Sequence, residues 1–185
     1  MAGAPRTRDV VLREAARLFA ERGFRGTSVA DLGEACGISG PALYKHFPSK
    51  QAVLARLLVD ISRQLVDGGR AVVDAGGDPH DVLASLVDFH TDFALAEPDV
   101  IRVQDRDLAS LDEPDRRVVR RLQRTYVELW TDVVCDVVPD LPREAARLRA
   151  HAVFGLLNST PHSASRSRSQ AARELSAMAL RALVG

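Results

Sequence analysis

Apolar residues in this chain recur at steps of three and four, and nowhere do they alternate with polar ones over the length of a strand. Val11, Ala15, Leu18 and Phe19 open the pattern, and Leu54, Leu57, Leu58, Ile61 and Leu65 continue it. Val82, Leu86, Phe89 and Phe93 repeat it, as do Val119, Leu122, Tyr126, Leu129 and Val133, then Leu175, Met178, Ala179, Ala182 and Leu183. Such spacing puts each set on one face of a 3.6-residue helix. The chain is therefore expected to be all-α, with about nine helices. Breaks are expected at Gly23, Gly37, Pro48, either Gly68-Gly69 or Gly76-Gly77, Pro98, Pro139 and Pro142. Glycine accepts the left-handed turn past a helix end, and proline cannot extend a helix. Thr27 or Ser28, then Ser39 and Ser49, stand where N-caps are needed. The Ser-rich stretch Asn158 to Ser169, with Pro161, reads as a loop.

Composition excludes several function classes. Apolar residues make up 46% and charged residues 27%, a globular balance. Lys plus Arg equal Asp plus Glu at 25 each, so no uniformly basic coat exists. Aromatics are only 5%, too few for a surface of stacking rings. No apolar run reaches membrane-spanning length, and the first residues lack the apolar core of a secretion signal. Cys36 and Cys135 are too few for a disulfide framework, so a reduced, cytoplasmic setting is expected. Charge is uneven, however. Residues 1–50 hold eight basic against five acidic side chains, and the remainder seventeen against twenty. A positive head on a negative body points to an anionic partner for the head.

Two short helices joined at Cys36-Gly37-Ile38-Ser39 form a helix-turn-helix pattern. The turn needs a glycine so that φ can be positive. Leu32, Ile38 and Leu43 would lock the two helices at a fixed angle. The second helix could then enter a major groove. Ser39 caps it, and Gly40, Pro41, Ala42, Tyr44 and Lys45 are its non-core positions. Small residues at its start allow close approach to base edges. Tyr44, Lys45 and His46 can reach phosphates, and Lys50 beside Ser49 can hold another. Each of these also has a plain reading: packing for Tyr44 and His46, surface charge for the lysines. Arg6 and Arg8 are either an unstructured arm or a minor-groove contact. Cys36 is read as a small packing residue.

Leu18-Phe19-Ala20-Glu21-Arg22-Gly23-Phe24-Arg25-Gly26-Thr27-Ser28-Val29, followed by Asp31-Leu32, resembles the start of a TetR-family repressor. Ile38-Ser39-Gly40-Pro41-Ala42-Leu43-Tyr44-Lys45-His46-Phe47-Pro48-Ser49-Lys50 is similar to that family's recognition segment. The likeness covers roughly residues 8–58. It implies a DNA-binding domain over 1–48, a ligand-binding and dimerisation domain over 49–185, a homodimer, a palindromic double-stranded operator and a small-molecule inducer. It also implies that Thr27, Ser28, Tyr44, Lys45, His46 and Lys50 contact DNA, with Pro41 and Ala42 at base-reading positions. The pairing of Pro41 with Lys45 is less generic, so no operator sequence carries over. The middle of the chain, with Gln104-Asp105 and the Tyr126-to-Trp130 helix, also resembles the branch regulating lipid breakdown through acyl-CoA thioesters.

The body offers further expectations. Phe89, Phe93, Ile101, Tyr126, Trp130 and Phe154 are either core or the lining of an apolar effector cavity. Arg117, Arg121 and Arg124, at i, i+4 and i+7, are either a solvated face or a cationic mouth for an anionic effector, in which Arg121 counts among the ligand contacts. The helix beyond His151 is apolar almost all round, and Ala152 and Gly155 permit close approach of another helix. A four-helix dimer interface made with the last helix is the expected cover. His80, His90, His151 and His162 lack metal-ligand spacing. Ser159 or Ser163 with His162 is the one hydrolase-like juxtaposition, without an acidic partner or a nucleophile elbow. No phosphate-loop or dinucleotide fingerprint occurs, so no cofactor and no enzymatic activity are expected.

Overall fold

In the computed structural model, residues 7–160 and 167–185 are described, and among them every regular element is helical. The order is α1 (Thr7–Arg22), α2 (Val29–Ala35), α3 (Gly40–Tyr44), α4 (Lys50–Asp74), α5 (Pro79–Ala96), α6 (Pro98–Asp107), a short 3-10 turn (Leu108–Ser110), α7 (Glu113–Val137), α8 (Arg143–Leu157) and α9 (Arg168–Val184). These are the nine helices the periodicity predicts. No helix among the described residues is long and apolar enough to cross a membrane.

Local chemistry sets most of the ends. Gly23 follows α1 at φ +82°, and its N–H donates to the Phe19 carbonyl at 2.8 Å. Ser28 caps α2: its Oγ accepts from the Asp31 N–H at 3.0 Å, while the Asp31 carboxylate accepts from the Ser28 N–H at 2.6 Å. That reciprocal pair satisfies two donors a helix start leaves open. Asp78 caps α5, with Pro79 in the first turn.

The chain packs as two compact units. One comprises the described residues up to Ile61 together with Asp99–Val119; the other comprises Ser62–Pro98 and the described residues from Arg120 onward. Residues 49–61, just past the boundary expected from the sequence, and α6 from Asp99 onward pack with the head unit. In the head, Val11, Phe19, Leu32, Leu43, Phe47, Leu54, Leu58 and Val103 are buried. Arg106 of α6 donates to the Ala20 carbonyl at 3.3 Å and to the Phe19 carbonyl, closing the C-terminal end of α1. Asp107 accepts from the Phe24 N–H at 3.3 Å.

The body unit is built on α5, α8 and α9, with α9 packed on both of the others. Its core includes Leu86, Val87, Tyr126, Trp130, Val153, Leu157, Leu175, Ala179 and Leu183. Gly68 and Gly69 do not interrupt α4, which ends before Gly76 (φ +69°) and Gly77 (φ +124°). The reason is steric. A Cβ on Gly68 would run into the Phe89 ring, and one on Gly69 would lie 2.8 Å from the Tyr126 ring. The pair lets α4 lie directly against the edges of two aromatic rings.

Candidate DNA interface and effector site

The helix-turn-helix is assembled as its sequence requires. Gly37 takes φ +65°. Gly33 is the less obvious necessity, because a Cβ there would meet the Ile38 carbonyl oxygen at 2.8 Å. Leu32, Leu43 and Phe47 are buried and hold α2 and α3 from beneath. The Ser39 hydroxyl accepts from the Ala42 N–H at 3.3 Å, capping α3. On the outer side, Ser28, Ser39, Pro41, Tyr44 and Lys45 are exposed, and Gly40, Ala42 and His46 are half-buried. Tyr44 leaves 52% of its surface free, unusual for a large ring with no internal role.

Two residues expected at the interface are occupied elsewhere. Thr27 is 1% exposed, and its hydroxyl donates to the Gly23 carbonyl at 2.9 Å and the Leu18 carbonyl at 3.3 Å. It secures the turn from α1 to α2 from inside and presents no group to a phosphate. Lys50 donates through Nζ to the Phe24 carbonyl at 2.7 Å and the Thr27 carbonyl at 2.6 Å, with the ammonium 4.4 Å from the Phe24 ring centre. It is a brace within the head. Arg8 likewise donates to the His46 carbonyl at 3.1 Å and lies over the Phe47 ring. Arg6 lies outside the described residues.

In the body, Phe93, Tyr126, Trp130 and Phe154 surround one imidazole, that of His90, with ring centres 5.0–5.9 Å from it. His90 Nε2 lies 3.1 Å from Asn158 Oδ1, and Nδ1 lies 3.2 Å from the Tyr126 hydroxyl. With Asn158 Oδ1 as acceptor, Nε2–H donates to it and Nδ1 accepts from the tyrosine O–H. Burial pushes the His90 pKa down to about 4 and the Tyr126 phenol well up, so both are neutral near pH 7. Trp130 is fully buried here, its ring centre 6.1 Å from that of Tyr126. The cluster is thus buried, aromatic and uncharged, with neutral polar groups at its centre.

Four of the expected effector residues therefore meet. Phe89 stands apart, its ring against Gly68. Ile101 is buried in α6 of the head unit and does not belong to this cluster. Arg121 is exposed on α7 and is not part of the lining of the cavity between α7 and α8, and Arg117 is drawn to Glu113 at 3.6 Å. The arginines that do flank a cavity are Arg120, Arg124 and Arg147. His90 and Asn158 are the functional candidates the sequence did not single out. His90 directly follows Phe89 and precedes Phe93 by three residues, but Asn158 is 68 residues away and carries no local signal. His162 and Ser163, the hydrolase-like pair, lie outside the described residues, and Ser159 is half-buried just past α8.

Comparison with known proteins matches two stretches of the chain. The family described as "Bacterial regulatory proteins, tetR family" matches residues 11–57, and "Tetracyclin repressor-like, C-terminal domain" matches residues 76–183. The transcriptional repressor KstR2 of Mycolicibacterium smegmatis is 29% identical over 136 residues. That match covers 72% of this chain and 65% of the relative, so the chain spans just under two thirds of it. A TetR-family regulator from Bordetella parapertussis superposes with a TM-score of 0.85 at 26% identity, covering 96% of this chain and 95% of that one. FadR from Bacillus subtilis, in complex with stearoyl-CoA, shares the fold at a TM-score of 0.76 and 15% identity, with 96% and 97% covered.

Proposed function

Since this chain belongs to the TetR family of bacterial regulatory proteins, we propose that it is a ligand-responsive transcriptional repressor rather than an enzyme, working in the cytoplasm as a homodimer on a palindromic operator. The observation that carries the reading is the outward side of α3. Tyr44 and Lys45 stand free above a buried Leu43 and Phe47, with the small residues Gly40, Pro41 and Ala42 at the leading end. Ser28, Ser39 and His46 flank them, and these residues are the proposed DNA contacts. Phosphate contacts by Tyr44, Lys45 and His46 set register, and Pro41 and Ala42 face the base edges.

A second copy of the chain is supported by an apolar stripe. Leu148 on α8 is 70% exposed and Met178 on α9 is 40% exposed, with Ala152, Gly155 and Ala182 also exposed. Two such stripes facing each other make a four-helix interface. The dimer would offer two α3 helices to successive major grooves, about 34–36 Å apart.

The effector reading rests on the neutral aromatic cluster around His90, Tyr126, Trp130 and Phe154, with Phe93 at its edge. An apolar effector, of which an acyl-CoA thioester is one class, would bind there. It would alter α4 through the Phe89 and Tyr126 rings that lie against Gly68 and Gly69. Since α4 starts at Lys50 in the head, a shift in it would change operator spacing. Coupling of this kind is typically about 1–3 kcal/mol.

A fluorescence-anisotropy titration against DNA from upstream of the chain's own gene tests the reading. Saturable binding, weakened by Lys45→Ala and Tyr44→Phe and relieved by an apolar ligand, is the expected result. Indifference to both substitutions would overturn it.

A further inference from the structure

The outward face of α7 carries positive charge that the proposed function leaves unused. Arg120, Gln123, Arg124, Val127 and Glu128 of α7 face Arg147 and His151 of α8 across an open cavity of about 550 Å³. That is within the size range of small-molecule sites. One carboxylate stands among three guanidinium groups, and it is already engaged. Glu128 accepts from Arg147 at 2.9 Å and from Arg143 at 2.8 Å. Arg147 and Arg143 together hold its carboxyl below the usual range. Asp132 is turned to Arg143 at 2.6 Å and does not neutralise the cavity. Arg120 and Arg124, one helical turn apart, have no ion-pair partner among the described residues.

We propose that this cavity is a second ligand site, which binds a diphosphate group. Arg120 and Arg124 project in register from one helix, as two forks able to take adjacent phosphates. Arg147 comes from the opposite wall, and its bond to Glu128 fixes its guanidinium before any ligand arrives. Gln123 supplies a neutral hydrogen bond, and Val127 an apolar floor. A single carboxylate ligand would leave much of this charge unmatched, whereas a diphosphate answers it. The site is separate from the His90 cluster, whose groups are uncharged.

The proposal is independent of operator binding and is tested without DNA. The full chain, in low-salt buffer free of phosphate, is titrated with inorganic pyrophosphate in a calorimeter. The expected result is saturable binding, weakened about tenfold or more in Arg120→Ala/Arg124→Ala, the loss of several charge-assisted hydrogen bonds. Arg124→Gln, which keeps most of the side-chain length, should weaken binding in the same direction. Arg121→Ala removes the same charge from the same helix outside the cavity and should change affinity by less than about twofold, screening being strong at an exposed site. Absence of saturable binding, or an equal loss in Arg121→Ala, would overturn the assignment. ADP and coenzyme A, used as competitors, identify the carrier. Competition by coenzyme A well above that by ADP marks a thioester-borne diphosphate, and equal competition marks a free or nucleotide one.

Discussion

At the scale of single residues, the ammonium of Lys50 shows how an exposed-looking charge becomes structural. Its two carbonyl acceptors, Phe24 and Thr27, bracket the turn between α1 and α2. Lys50→Ala should therefore lower stability by about 1–2 kcal/mol, the worth of charge-assisted bonds at a half-buried site. It should leave the salt dependence of DNA binding unchanged. Lys45→Ala should do the reverse, reducing the slope of log affinity against log salt by about 0.9 per protomer with little change in melting temperature. A melting curve and a salt titration on each variant separate the two roles.

His90 makes a prediction in pH. Its folded pKa is lowered to about 4 from the ordinary 6.5. Between those values the unfolded chain binds a proton that the native chain does not, so stability is full above about pH 6.5 and falls as pH drops toward 4. The contribution is on the order of 3 kcal/mol across that window. Urea denaturation at pH 7, 6 and 5 should show the decline, and His90→Phe should flatten it. A wild-type curve with no greater acid sensitivity than the variant would refute a buried neutral imidazole.

At the scale of elements, two glycines contradict simple helix propensity. Alanine normally gains about 1 kcal/mol over glycine inside a helix. In α4 that gain is opposed by the Phe89 and Tyr126 rings, which lie where the new methyl groups would go. Gly68→Ala and Gly69→Ala should each destabilise by about 1–3 kcal/mol, the usual result of overfilling a packed site. Gly155 in α8 is the control, since a Cβ there meets nothing within 4 Å in the protomer. Gly155→Ala should leave the protomer as stable or more so. Thermal melts of the three variants, read at low protein concentration, check the contrast.

At the scale of the whole molecule, the proposed homodimer would link the apolar stripe on α8 and α9 to the outward face of α3 through symmetry. One recognition helix makes too few phosphate contacts for tight binding, and two add their free energies when the dimer fixes their spacing. Leu148→Glu should turn the dimer into monomer in sedimentation and reduce operator affinity by at least about a hundredfold. A variant that remains dimeric would place the interface elsewhere.

Sequence alone determined the helices, the turn at Gly37 and the outward set on α3. All of these rest on neighbours within four residues, where spacing and capping dictate geometry. It also gave the aromatic residues of the body, though not that a histidine stood at their centre. What only tertiary structure decided depends on residues far apart in the chain. Lys50 turns inward because the carbonyls of Phe24 and Thr27, 26 and 23 residues away, arrive there to be satisfied. Ile101 stands apart from the aromatic cluster around His90 because its segment of α6 packs with the head. Arg120 rather than Arg121 borders the charged cavity because α8 approaches α7 on one side, and periodicity cannot say which of two neighbouring faces another helix will cover.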